Sequence, residues 1–300
     1  MDSANTQVLE HDSDASGVPP RPPVATATRD AVASERRRGD AWLTAAARFW
    51  FVVTVVGQLL FASYITVLYG GGAIRGDITV LDRVMPKGHE PGDPLGNATI
   101  IVHLFLALVI MLAGAMQLVP QIRERAPWLH RWTGRSYITA ALLASFGGLY
   151  LVWVRGTIGD LAMHVGSTLN ASLIVLFGVL AWRSARTRHF GAHRKWALRL
   201  FLVASGVWFF RVGLMLTLLV FQRPVGFDPT TFTGPFLTFL TVAESLLPLL
   251  VLEGYHWGQE RATGRGRMAM ALCLGLLTLS LIHISEPTRL RRISYAVFCL

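Results

Sequence analysis

Apolar residues fall into seven long runs separated by polar connections. They are Phe49–Tyr69, Thr99–Val119, Ser136–Val154, Leu161–Trp182, Ala197–Phe221, Pro235–Glu253 and Met268–Ile282. The first six have about the twenty residues needed to cross a bilayer, and the seventh is short for a span. Inside hydrocarbon each backbone N–H and C=O must pair within its own segment, so the runs predict helices. The expected fold class is therefore all-α: a polytopic membrane helix bundle of about seven transmembrane helices. A four-helix core occupies residues 99–221 of a transmembrane domain at 41–282. Residues 1–40 carry Pro19, Pro20, Pro22 and Pro23 and no apolar run. They read as a disordered tail.

The connections alternate in charge. Seventeen basic residues, among them Arg36–Arg38, Arg123, Arg125, Arg131, Arg135, Arg183, Arg186, Arg194, Lys195 and Arg265, fall on one side, against five on the other. The excess marks the cytoplasmic side, so the amino terminus is expected there. The loop Gly70–Ala98, with Asp77, Asp82, Glu90 and Asp93, would then face outward.

Composition agrees with the pattern. The 300 residues are 52% hydrophobic and only 15% charged, with a mean hydropathy of +0.46. A soluble enzyme, a disordered chain and a disulfide-stapled secreted domain are excluded. Cys273 and Cys299 have no metal-type spacing. The net charge of +10 sits in short loops beside apolar runs, as topology requires, and does not indicate nucleic acid. The lipid bilayer is the expected partner.

Runs two to five contain a duplication. His103 lies near the start of run two, and His130 follows in Leu129-His130-Arg131-Trp132. His164 lies near the start of run four, and His193 follows in His193-Arg194-Lys195-Trp196. The intervals are 27 and 29 residues. Each histidine shares a helical face with small residues, such as Gly114 below His103 and Gly134, Ala141 and Gly148 above His130. Two neutral imidazoles on facing helices at one depth can ligate a haem iron from both sides. Arg131, Arg135 and Arg194, with Lys195 and Arg199, could pair with haem propionates. The expectation is haem b, held by His103 with His164 and by His130 with His193, in a membrane electron carrier acting on a quinone or other redox partner. The inner pair can also be read as polar anchors. Two histidines without a carboxylate make a poor zinc site.

The stretch LHRWTGRSYITAALL, with the later HRKWALR, is similar to uncharacterised bacterial membrane proteins grouped as domain-of-unknown-function family 2306. That resemblance implies a multi-pass protein of the bacterial cytoplasmic (inner) membrane and no particular activity. Histidines on four consecutive helices also resemble the two-haem transmembrane cytochrome b superfamily, in which alternate helices supply the axial pairs. Residues 280–300 (SLIHISEPTRLRRISYAVFCL) resemble translated sequencing-adapter DNA, so 283–300 is read as a non-native tail.

Arg211 and Glu244 stand at similar depth in runs five and six, and an ion pair between them would fix helix register. Asn170, Gln58 and Gln117 read as helix–helix hydrogen bonds. His256 reads as a surface anchor, and His89 falls in the acidic loop. Two other functions compete with electron transfer: a small-molecule or proton-coupled transporter using Arg211 and Glu244, and a non-catalytic membrane scaffold.

Overall fold

The structure, a computed structural model, describes residues 23–82 and 88–284; for residues 23–28, 73, 78, 79 and 281–284 it describes the backbone only. Among the described residues ten α-helices follow one another. They are α1 (Pro23–Ile65), α2 (Gly71–Ile74), α3 (Pro94–Leu118), α4 (Pro120–Arg125), α5 (Pro127–Tyr150), α6 (Leu161–Arg186), α7 (Phe190–Ala204), α8 (Gly206–Phe221), α9 (Pro235–Arg261) and α10 (Gly264–Ile284). π-Helical turns at Thr66–Gly70 and Leu151–Gly156 extend α1 and α5, and a 3-10 turn spans Ile78–Leu81. No strand occurs among the described residues. Among the described residues five helical stretches are long and apolar enough to cross a membrane, or six if the bent pair α7–α8 is one span. The protein is an all-α, multi-pass membrane bundle.

Helix starts follow local chemistry. Asp93 accepts from the Gly96 N–H at 2.8 Å, and Pro94 opens α3 with its fixed φ. Asp160 caps α6 through the Met163 N–H at 2.9 Å. Pro127 opens α5. The helices alternate in direction, so one face gathers the basic α3–α5, α6–α7 and α9–α10 connections. The other gathers residues 71–82, 88–93, 157–160 and 222–234.

Two expectations need correction. The tail is not disordered through residue 40, because α1 already begins at Pro23. Its early turns have a partner that pattern alone does not show. Arg267, 2% exposed, pairs with Asp40 and donates to the carbonyls of Gly258 at 3.2 Å and Gln259 at 2.6 Å. Glu35 meets Arg265 at 3.5 Å. This contact ties α1 to α9 and α10, and satisfied partners are what lets a buried guanidinium persist. Residues 1–22 and 285–300 lie outside the described residues, and with them most of the segment read as non-native.

The second correction concerns the fifth run. Ala197–Phe221 is not one straight helix: α7 and α8 meet at Ser205 with a bend of 48°. The Ser205 hydroxyl donates to the Phe201 carbonyl at 2.7 Å, and its N–H bonds both Phe201 and Leu202 carbonyls at 3.1 Å. The tightened last turn ends α7, and an apolar run carries no mark of it.

The main core lies where α3, α5, α6 and α7 converge. Ala113, Tyr137, Ile138, Phe177, Ala181, Leu200 and Val203 form one buried cluster. The Tyr137 ring lies on Gly114: a methyl there would stand 2.9 Å from Cε2. Small residues at such contacts let membrane helices approach closely.

Candidate histidine layers and the polar seam of the bundle

The four histidines occupy two levels of the core. At the basic face His130 begins α5 and His193 begins α7. The two rings are near enough to act on one another electrostatically, with Arg123 and Arg131 beside His130. The Nδ1 of His130 is buried and has no hydrogen-bond partner. The Nδ1 of His193 lies 3.0 Å from the Ala181 carbonyl oxygen. A carbonyl only accepts, so Nδ1 carries the proton and Nε2 is left with a free lone pair.

At the opposite level His103 reaches from α3 to α5. A methyl on Gly148 would stand 3.3 Å from its Cε1, so the ring lies against a bare glycine surface. His103 Nδ1 is buried with no partner in hydrogen-bond geometry, and the Ala144 backbone lies beside the ring. His164, on α6, packs edge-on to Trp153 with ring centroids 5.8 Å apart. Trp153 donates to the Thr168 hydroxyl at 2.8 Å, and Thr168 donates to the His164 carbonyl at 2.8 Å. His164 Nε2 is buried and unpartnered. No ring contact joins His103 to His164 among the described residues. From His130 to Gly148 the helix rises about 27 Å, which sets the spacing of the two levels.

The cations expected around the histidines divide into two sets. Arg199 meets Glu253 at 2.6 Å and lies over the Trp196 ring at 4.9 Å. Lys195 meets Glu260 at 3.4 Å. These two serve α7–α9 packing and are not free for another anion. Arg131, Arg135 and Arg194 are exposed and have no carboxylate partner among the described residues; Arg135 lies 5.6 Å from the Trp132 ring centroid.

The expected ion pair is absent. Among the described residues no ion pair joins Arg211 to Glu244. Arg211 lies over the Phe61 ring of α1 at 5.1 Å and near Tyr64 and Tyr69. Glu244, 8% exposed, lies against Gly206, where a methyl would stand 3.4 Å from its Cδ. Gly213, seven positions beyond Gly206, faces Leu240 of α9 in the same way. Arg211 is about 140° from Gly206 around α8, so the face that meets α9 excludes it. A similar depth read from the sequence does not give azimuth.

A polar seam surrounds the α7–α8 break. Gln58 donates to the Ser205 hydroxyl at 2.8 Å. Asn170 donates to the Val203 carbonyl at 2.9 Å and to the Ser245 hydroxyl at 2.6 Å. Gln117 donates to the Thr133 hydroxyl at 2.5 Å. Gln58, Asn170 and Gln117 thus make the interhelical bonds expected of them.

Sequence reasoning missed one site. Arg155, counted only as a loop charge, has a side chain 3% exposed that meets Asp93 at 3.3 Å and donates to Asn97 Oδ1 at 2.8 Å. It joins the end of α5 to the start of α3. The signal was present in the Asp93-Pro94 cap, whose half-buried carboxylate offers a counter-charge to a nearby cation.

A family model described as predicted membrane protein (DUF2306) matches residues 100–246. The matched stretch holds all four histidines, the α7–α8 break and Glu244, and leaves out α1 and α10. The chain is similar to that family over these residues. No curated protein matches the chain. No solved structure matches it.

Proposed function

We propose that the protein is a haem-b-binding electron carrier of the bacterial cytoplasmic membrane, with its amino terminus on the cytoplasmic side. The orientation rests on the basic excess in alternate connections. One observation carries the haem reading. Each histidine has a ring nitrogen without a protein partner: three are buried orphans, and the fourth is the Nε2 that the Ala181 bond leaves free. A buried unpaired nitrogen costs free energy unless something satisfies it. A metal bound at that atom would do so.

The donor set fits such a group. His130 and His193 would hold it at the basic face, and His103 and His164 would hold a second beyond the core. When bound, haem supplies a one-electron redox centre inside the bilayer. The chain's own groups prepare the ligands. The Ala181 carbonyl fixes the tautomer and orientation of His193, as partners of metal-bound imidazoles commonly do. Gly148 leaves a flat surface against His103. Arg131, Arg135 and Arg194 are cations without carboxylate partners beside the inner pair, suited to propionates. Tyr137, 5% exposed, stands between the two levels with a buried, unpartnered hydroxyl. A quinone or a redox protein at the membrane surface would be the electron partner.

The transporter reading relied on Arg211 and Glu244 sharing a path, and α8 turns them apart. The test is a reduced-minus-oxidised absorption spectrum of the full chain, purified after expression with haem supplied. A sharp b-type band that weakens in His193→Ala and His130→Ala is the expected result. A spectrum without that band would leave the scaffold reading in its place.

A further inference from the structure

We propose that Glu244 is a proton-exchanging carboxyl seated at the break between α7 and α8, a role separate from the histidine layers. Ionisable residues within a membrane are costly and are retained where they pair or work. Glu244 does not pair. Among the described residues neither an ion pair nor a hydrogen bond engages its carboxyl, although it is 8% exposed.

The surroundings identify the occupant. Charged and titratable groups on the elements packed against α9 are each directed elsewhere. His164 on α6 meets Trp153, and Arg199 on α7 meets Glu253. His193 bonds Ala181, Arg211 on α8 turns to Phe61, and Arg267 on α10 pairs with Asp40. The remaining basic groups of α6, α7 and α10 lie at the basic face. What lies beside Glu244 is neutral: a methyl on Gly206 would stand 3.4 Å from the Glu244 Cδ and Oε1 and 2.7 Å from Asn170 Nδ2.

The seam also holds unspent polar atoms. Gln58, 2% exposed, and Thr54, 0% exposed, stand one helical turn apart on the face of α1 that meets Ser205. Gln58 Oε1 and Thr54 Oγ1 are both buried without a partner. A broken helix with polar side chains gathered at the break is a recurrent site of ion and proton chemistry in membrane proteins. A hydrated cation needs a cage of oxygen ligands. No group of three or more His, Cys, Asp or Glu residues is gathered among the described residues, and Asn170 already closes on Gly206. A proton needs only one lone pair and no room. In the exchange one proton moves from hydronium to a Glu244 carboxylate oxygen, leaving water and a neutral carboxyl, and the reverse step returns the proton to water as hydronium and restores the carboxylate.

The experiment uses dicyclohexylcarbodiimide, an apolar reagent that adds to protonated carboxyl groups in membranes. The full chain in liposomes is treated at pH 6 and at pH 10, and its peptides are weighed by mass spectrometry. The expected result is an adduct on Glu244 that falls at least about tenfold at the higher pH, since ionisation removes the reactive form. The amount of intact reagent left at each pH, measured in the same sample, corrects for its hydrolysis. Glu244→Gln should abolish the adduct; if that variant does not fold, the pH dependence of the unaltered chain decides alone. No adduct, or an adduct indifferent to pH, would overturn the proposal. So would protection by sodium at constant pH, which would mark a cation site. None of these outcomes depends on the b-type spectrum.

Discussion

His193 donates its Nδ1–H to the carbonyl oxygen of Ala181 across the α6–α7 turn, at 3.0 Å. The bond selects one tautomer and aims Nε2 away from α6. It couples the last turns of α6 to the first turn of α7. The same bond explains why a histidine that looks like a surface anchor is held rigidly.

If Nε2 is a ligand, removing the ring should be reparable by the ring alone. His193→Gly is expected to lose about half of the bound haem, and millimolar imidazole should restore it. Pyridine haemochrome assay per mole of protein measures this. Loss that imidazole does not reverse would point to a packing role.

The glycine pair facing His103 gives a graded test. A methyl at Gly147 meets its nearest atom at 3.7 Å, an ordinary contact, whereas one at Gly148 meets the ring at 3.3 Å. Gly147→Ala should be neutral, and Gly148→Leu should cost about 1–3 kcal/mol from overpacking. It should also weaken the outer haem selectively. Thermal unfolding in detergent, run beside the difference spectrum, separates the two effects.

Arg211 and Glu244 face different neighbours, so their substitutions should be independent. A double-mutant cycle with Arg211→Met and Glu244→Gln is expected to give a coupling below about 0.5 kcal/mol. A contacting pair would give about 0.5–3 kcal/mol. A measured coupling in that range would return the two side chains to contact.

Arg155 and Asp93 should behave in the opposite way. Asp93→Ala leaves a side chain 3% exposed without its counter-charge and removes the α3 cap. The expected loss is about 3–5 kcal/mol. Arg155→Met with Asp93→Asn together should lose less than the sum of the single changes. Denaturation midpoints of the four proteins provide the comparison.

The loop between α8 and α9 carries a pH-dependent turn. Asp228 Oδ1 accepts from the Thr230 hydroxyl at 2.6 Å and from its N–H at 2.7 Å. These bonds hold the carboxyl below its ordinary range, the Thr230 hydroxyl most of all. A lowered folded value means the turn is favoured at neutral pH and loses that contribution only as pH falls through the lowered value. Thr230→Val should move the loss to higher pH. Protease cleavage within residues 222–234, followed as a function of pH, is the measurement.

Apolar run length alone was enough to predict an all-α membrane bundle, because hydrocarbon leaves an unpaired backbone no alternative to the helix. The spacing of polar positions also marked residues that make interhelical bonds, such as Gln58 and Asn170. Sequence periodicity assumes a straight helix with unknown neighbours. It could not reveal the bend at Ser205, which depends on a hydroxyl folding back onto Phe201 and an amide arriving from Gln58. Nor could it reveal that α10 gives the early turns of α1 a partner. Which side of a helix meets which neighbour is set by packing between segments far apart in the chain. Tertiary structure therefore decided the azimuth of Arg211, the isolation of Glu244 and the partners of each histidine.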